Sequence, residues 1–472
     1  MTRLFGALFA FCFAISAAAQ NAAEPQAIKP NIVMIVLNDV GFGDLGYQGN
    51  RFNETPHIDS LAATGVSFHQ AYAAAPVAAP TLASILTGKN PVVVGVTGEL
   101  GRPWDRFRND PASDEALLPP PKGDGLGQGF RRLPELLKRS DYNSAWLGYW
   151  PLGGFGNGPE NHGFDQSEMA GPLAELRHRL LPFFWQDHPL DDSTEALTEA
   201  AKRYIDAQAD GRFFLTVSHY GAIAPLSGDE KRVDYFQRKS RSGNYPEFEN
   251  PWYAASLAKL DDSVGEIVAL LDQKGIREKT LIVLVSPNGG LTEREYFIGD
   301  YFAHSPATDL APLRKGKGSI YEGGLRVPML LNWVGVVPLG VRYNGLVSTQ
   351  DLFPTLLAAG GLRKYKDFEG ENLFDAIVGV RFDRDLHWHY PYYDHYAGRP
   401  GAAVRSGQYK LIQWFDDGSI ELFDLKDDPG ETRNLVTELP VRTRKMLAKL
   451  YEWRGWNRAP MPSKADSGSE SP

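Results

Sequence analysis

The stretch Pro76-Val-Ala-Ala-Pro-Thr-Leu-Ala-Ser-Ile-Leu-Thr-Gly-Lys89 reads as a loop that turns into a helix. Pro80 suits a helix opening, where its missing N–H would have no partner anyway. Leu82, Ile85 and Leu86 then give an i, i+3, i+4 apolar stripe, and Gly88 offers the stop. On this reading Ala78 and Ala79 stand just before the first turn, where free backbone N–H groups face any bound anion.

Working outward, Asn31-Ile-Val-Met-Ile-Val-Leu37 is a continuous apolar, β-branched run, the pattern of a central parallel strand buried on both faces. Asn38-Asp39-Val-Gly-Phe-Gly-Asp44 follows at its carboxyl end, where α/β sheets place their ligands. A capped helix is expected over Thr55–Gly65 and a second strand over Val66–Tyr72. Downstream, Arg132–Arg139 and Trp252–Lys274 read as helices, and Ser144–Gly148, Phe213–Ser218 and Thr280–Val285 as strands. The stretch 100–129 is rich in Pro, Gly and Asp and reads as a surface excursion. This alternation predicts an α/β sandwich with a mostly parallel sheet. Past about residue 380 the texture changes. Ala403–Ile412 and Glu421–Leu425 read as antiparallel strands and Val441–Trp453 as a closing helix, a small α+β subdomain.

The chain has 472 residues, 43% hydrophobic and 23% charged, a globular composition long enough for one or two domains. Its net charge of −9 argues against nucleic acid or an anionic membrane as partner of the chain as a whole. Arg3, the apolar run Leu4–Ile15 and Ala17-Ala18-Ala19 give residues 1–19 the form of a secretory signal cleaved after Ala19, so the mature chain is expected to be secreted or periplasmic. That run is short for a membrane span, and no later run reaches about 18 apolar residues. The one cysteine, Cys12, lies inside the signal. The expected organisation is a signal over 1–19, an α/β domain over 20–380, an α+β subdomain over 381–462 and a disordered polar tail over 463–472.

The opening stretch resembles the sulfatase signature C-x-P-S-R-x-x-x-L-T-G-R. Pro30–Asp39 resembles that family's P-N-I-V-x-I-x-x-D-D opening, and Lys317-Gly-Ser-Ile-Tyr-Glu-Gly-Gly-Leu-Arg-Val-Pro328 its K-G-x-x-x-E-G-G-x-R-V-P block. Asp351–Leu356 and Leu422–Glu431 match further family segments, so the likeness spans almost the whole mature chain. It implies an alkaline-phosphatase-like α/β fold with a small C-terminal subdomain. In the family the first signature residue is oxidised to formylglycine, whose hydrate is the nucleophile. That position falls on Ala78, and a methyl group cannot become an aldehyde.

The resemblance places the family's calcium ligands on Asn38, Asp39, Pro287 and Asn288, so three carboxylates have become one. Calcium wants hard, mostly anionic oxygens, which leaves weak binding at most and no expected cofactor. The family's Lys and His of G-K-W-H fall on Tyr149 and Pro151, and the His of P-H-x-P on Ile223. Lys317 keeps a matching cation and Lys89 replaces an Arg at the helix end, so Lys317, Lys89, Tyr149 and Ile223 are the expected pocket residues. Lys317 either binds a ligand anion or pairs with Asp39. Thr81 is the one hydroxyl near the nucleophile position, but its family counterpart is structural. His387, His389 and His395 sit in an aromatic run that reads as packing before metal binding, and Trp146, Trp150 and Trp185 as core before a sugar-stacking surface. The reading is a secreted pseudoenzyme that binds a sulfated or acidic glycan, an acidic small molecule, or an active sulfatase paralogue. The alternative is an active sulfuric or phosphoric ester hydrolase of arylsulfatase type with another nucleophile.

Overall fold

The structure is a computed structural model describing residues 29–100, 117–123, 125–153, 157–168, 193–220, 229–246, 248–292, 306–363, 365–393 and 398–464. Eight strands form the central sheet: Asn31–Leu37 (β1), Val66–Phe68 (β2), Tyr142–Gly148 (β3), Gln166–Glu168 (β4), Arg212–His219 (β5), Thr280–Val285 (β6), Met329–Asn332 (β7) and Val341–Tyr343 (β8). Their order is β8-β2-β7-β6-β1-β5-β3-β4, and every pairing is parallel except the two made by β7. β1 and β6 keep the limits expected from sequence, because strands covered on both faces need unbroken apolar runs.

Alternation splits β1 between two layers. Ile32, Met34 and Val36 face a layer containing Ala78–Thr87 (α2) and Leu352–Ala359 (α6). Val33, Ile35 and Leu37 face Pro56–Ala63 (α1), Ser193–Gln208 (α3) and Pro251–Gln273 (α5). Glu230–Ser242 (α4) packs outside α5 through Val233 and Phe236. The strand expected over 66–72 divides instead: β2 ends at Phe68, and Ala71–Tyr72 pairs with Val347–Ser348 in a separate two-stranded sheet.

α2 begins two residues earlier than Pro80 predicted, with Val77 as extended cap, so Ala78 and Ala79 lie in the first turn. Pro80 sits third in the helix, still within the turn whose N–H groups have no intrahelical acceptor. Leu82, Ile85 and Leu86 are fully buried, and Gly88 ends the helix at φ +69°.

The C-terminal part is a four-stranded antiparallel sheet, Asp385–Tyr390 (β9), Gly401–Ser406 (β10), Tyr409–Trp414 (β11) and Ile420–Asp424 (β12), in sequential order. The expected strand over 403–412 is therefore a hairpin turning at Gly407, whose φ is +60°. One face carries Trp388, Tyr390, Ile412 and Phe423 against Tyr72 and Ile320; the other receives the helix Pro440–Asn457 (α7) through Met446 and Leu450. Ser463–Lys464, at the head of the expected tail, pairs with Leu117–Leu118. The signal, Ile223, Trp185 and His395 lie outside the described residues.

Candidate functional site

β1 delivers Asn38 and Asp39 to the carboxyl edge of the sheet. Its neighbours in register end there too, Leu37 opposite His219 of β5 and Val36 opposite Val285 of β6, whose chain runs on to Pro287 and Asn288. Lys317 reaches this edge because its N–H donates to Gly290 O (2.9 Å). Gly289 allows the approach, since a Cβ there would lie 1.8 Å from Gly323 O. The Gly318 N–H donates to Pro76 O (2.9 Å), fastening the same loop to the lead-in of α2.

The polar groups close on one another. Lys317 Nζ donates to both oxygens of Asp39 at 2.7 and 2.9 Å, and Asn288 Nδ2 donates to Asp39 Oδ1 at 2.8 Å. Asp39 takes a left-handed backbone, φ +62°, a sparsely populated conformation for a residue with a Cβ. Asn38 Nδ2 donates to Ser218 Oγ and His219 O at 3.1 and 2.9 Å. The Oδ1 atoms of Asn38 and Asn288 are buried without a hydrogen-bond donor among the described residues. Ala78, Asn38, Asp39, Asn288 and Lys317 are each no more than 5% exposed. Pairing with Asp39, one of the two expected roles for Lys317, is present.

Other expected site residues lie elsewhere. Lys89 was expected in the pocket, but it stands past the carboxyl end of α2 with Nζ 2.5 Å from Asp367. Ten helical residues, about 15 Å, separate it from Ala78. Thr81 Oγ1 accepts from the Ala75 N–H and donates to the Ala75 carbonyl, both at 3.1 Å, which occupies the hydroxyl in holding the loop. Tyr149 stays at the carboxyl edge, its N–H on Ser218 O (2.9 Å) and its ring edge-on to Tyr220. Trp146 and Trp150 are core, packed edge to face and buried. His387 stacks on Trp453, and His389 Nε2 lies 2.8 Å from Pro460 O. Both imidazoles therefore pack against α7 and the chain beyond it.

Two buried constellations escaped the sequence reading. Asp44 accepts from the Gly41 N–H (2.6 Å), Tyr253 OH (2.7 Å) and Thr308 Oγ1 (2.5 Å), fixing the loop after β1. Burial pushes its carboxyl up to about 6 against these stabilising donors. Its place in Asn38–Asp44 was a signal, but Tyr253 and Thr308 are far away in sequence. In the second, Lys410 Nζ lies 3.0 Å from Glu322 Oε1 and 2.9 Å from Glu431 Oε1. Tyr72 OH donates to Glu322 Oε2 (2.5 Å), and Arg405 reaches the Tyr72 hydroxyl. This cluster joins the small sheet to the large domain.

An apolar groove of about 1060 Å³, lined by Leu136, Trp333, Val337, Leu362, Phe374 and Ile377, is separate from all of these. Trp333 follows Asn332, which pairs with Ile282 near the start of β6, so the groove opens at the opposite edge of the sheet.

A doubly covered, mostly parallel sheet with a polar cluster at its carboxyl edge and a small antiparallel subdomain defines an alkaline-phosphatase-like α/β protein. The fold matches the crystal structure of Ps i-CgsB in complex with k-i-k-neocarrahexaose, with TM-score 0.72 and 25% identity over 94% of this chain and 95% of that one. Residues 30–362 match the family described as Sulfatase, and residues 316–453 the one described as N-sulphoglucosamine sulphohydrolase, C-terminal. The chain belongs to the sulfatase family. It is 29% identical to N-acetylgalactosamine-6-sulfatase of Mus musculus over 89% of this chain and 80% of that protein. It is also 29% identical to arylsulfatase A of Homo sapiens, over 90% of this chain and 87% of the relative. Among the described residues no helix is long and apolar enough to cross a membrane.

Proposed function

We propose that this sulfatase-family chain is a secreted, non-hydrolysing member that recognises a sulfated or acidic glycan. The observation that carries the reading is Ala78. A methyl group stands in the first turn of α2, in the segment that resembles the family's nucleophile signature, beside the loop that carries Lys317. Carbon–hydrogen bonds there supply neither an attacking oxygen nor an aldehyde precursor. Thr81, the nearest hydroxyl in sequence, is engaged in both directions by Ala75.

The donors at the sheet edge do not fit calcium. Asp39 is the one carboxylate of the set and shares both oxygens with the Lys317 ammonium, so the group is close to neutral. The orphaned Oδ1 atoms of Asn38 and Asn288 add two neutral ligands, short of the six to eight mostly anionic oxygens that calcium takes. An entering sulfate would compete with Asp39 for Lys317. The glycan class is supported by the names of N-acetylgalactosamine-6-sulfatase and of the neocarrahexaose complex.

The test is turnover of a panel of aryl sulfates and phosphate esters by the purified chain, with and without calcium, beside Lys317→Ala and Thr81→Ala. A flat panel is expected. Turnover above background that either substitution abolishes would overturn the reading and locate the displaced chemistry.

A further inference from the structure

Although the chain is acidic as a whole, 58 carboxylates against 49 lysines and arginines, its last helix reverses the balance. From Pro440 to Arg458 six cations (Arg442, Arg444, Lys445, Lys449, Arg454 and Arg458) stand against Glu452 alone. The buried side of α7 is committed, with Thr443, Met446 and Leu450 against the small sheet. The exposed flank beside it, next to the small sheet, holds Arg442, Lys445, Lys449 and Trp456, spaced i, i+3, i+7, i+14 and so falling on one stripe. Trp456 is 86% exposed, the most exposed large hydrophobic residue described. Arg442 lies over the Tyr409 ring, and Lys449 Nζ sits 2.6 Å from Asp385 with its side chain still 46% exposed. The stripe runs about 21 Å along the helix.

We propose that this exposed flank of α7 docks a linear sulfated polysaccharide, its sulfates paired with Arg442, Lys445 and Lys449 and a sugar ring stacked on Trp456. A spaced row of exposed cations suits a polymer with regularly repeated anions. Glu452, on the same face between Lys449 and Trp456, selects against anions at that one position. An anionic membrane fits less well, because the apolar side of the helix is already buried in protein and little remains to insert. The choice of a sulfated glycan among polyanions rests on the function proposed above. The surface itself lies on the outer side of the small sheet, away from Asp39 and Lys317, and works whether or not the sheet edge hydrolyses anything.

The test is calorimetric titration of the full chain with a sulfated galactan oligosaccharide, its desulfated counterpart, single-stranded DNA of equal charge and anionic phospholipid vesicles. The expected result is binding of the sulfated sugar alone. The variant R442Q/K445Q/K449Q should bind it roughly tenfold or more weaker, with a flatter dependence of log Kd on log salt, because fewer counterions are released. Trp456→Ala should weaken binding and keep the salt slope. Lys231, Arg238 and Arg241 on α4 are exposed too, and changing those three to Gln removes the same charge elsewhere; that variant should bind as the parent does. Thermal unfolding checks that each variant folds, and Lys445→Gln alone, at an exposed position, keeps the test valid if the triple variant does not. Unchanged affinity in the α7 variants, equal loss in the α4 variant, or equal binding of DNA or vesicles would each overturn the proposal. Hydrolysis of aryl sulfates would sink the reading of the sheet edge and leave this result untouched.

Discussion

Asp39→Asn keeps a side chain that tolerates the left-handed backbone at this position, so the substitution tests charge. It takes from a buried ammonium the carboxylate that holds it. Breaking such a pair from one side costs about 3–5 kcal/mol, and Lys317→Met should cost a comparable amount for the same reason. The double variant should lose far less than the sum, with a coupling above about 1 kcal/mol, read from chemical denaturation of all four proteins. Additive losses would mean that the pair contributes nothing beyond packing. At Thr81 the hydroxyl serves the backbone of Ala75, so Thr81→Ala should lower stability by about 1–2 kcal/mol and Thr81→Ser should restore most of it. Of this cluster, the sequence exposed Asp39, Asn288 and Lys317 as candidates. It was silent on whether Lys317 would face a ligand or its own aspartate, since a lysine's four-carbon stem reaches several partners.

At the scale of elements, the aromatic run of β9 is tied to α7 by the stacked rings of His387 and Trp453, 5.0 Å apart and nearly parallel. Burial pulls the His387 imidazole down to about 4, with Lys449 adding to the effect and Asp385 opposing it. The unfolded ring titrates near 6.5. The stability this neutral ring contributes is therefore complete above about pH 6.5 and is lost as pH falls toward 4. His387→Phe keeps the stack and removes the titration, so it should match the parent at pH 7 and exceed it at pH 5 in urea midpoint. Parallel curves for the two proteins would show that the ring is already solvated. Helix and strand existence was legible here from periodicity, while the limits moved. α2 starts at Ala78 because the extended Val77 ahead of it serves as its cap, and the 66–72 strand breaks because its two halves find partners in different sheets.

At the scale of the molecule, the small sheet docks through charges that neither part could bury alone. Burial and the neighbouring Glu322 push Glu431 up to about 7 against the pull of Lys410. Glu322 goes the other way: burial works to raise it, but Lys410 and Arg405 carry it below its ordinary value. Lys410→Met leaves two buried carboxyls without their shared ammonium and should cost about 3 kcal/mol or more. In calorimetry the variant should show an early transition for the C-terminal part where the parent shows one. Because Glu431 is raised, the carboxylate's burden falls as it protonates, so lowering the pH from 8 to 6 should recover part of the loss. A single unshifted transition would mean that apolar contacts around Trp388 and Tyr390 carry the docking. The amino-acid sequence by itself determined the layers, the buried strands β1 and β6 and the helix stop at Gly88. These follow from local chemistry: an apolar run long enough to be covered twice, and a φ that glycine tolerates. Only the tertiary structure decided that Lys317 meets Asp39 across 278 residues, that Lys89 is spent on Asp367, and that Tyr72, Glu322, Lys410 and Glu431 share one buried site. An ion pair depends on where distant segments converge in space, and no local pattern in the chain encodes that distance.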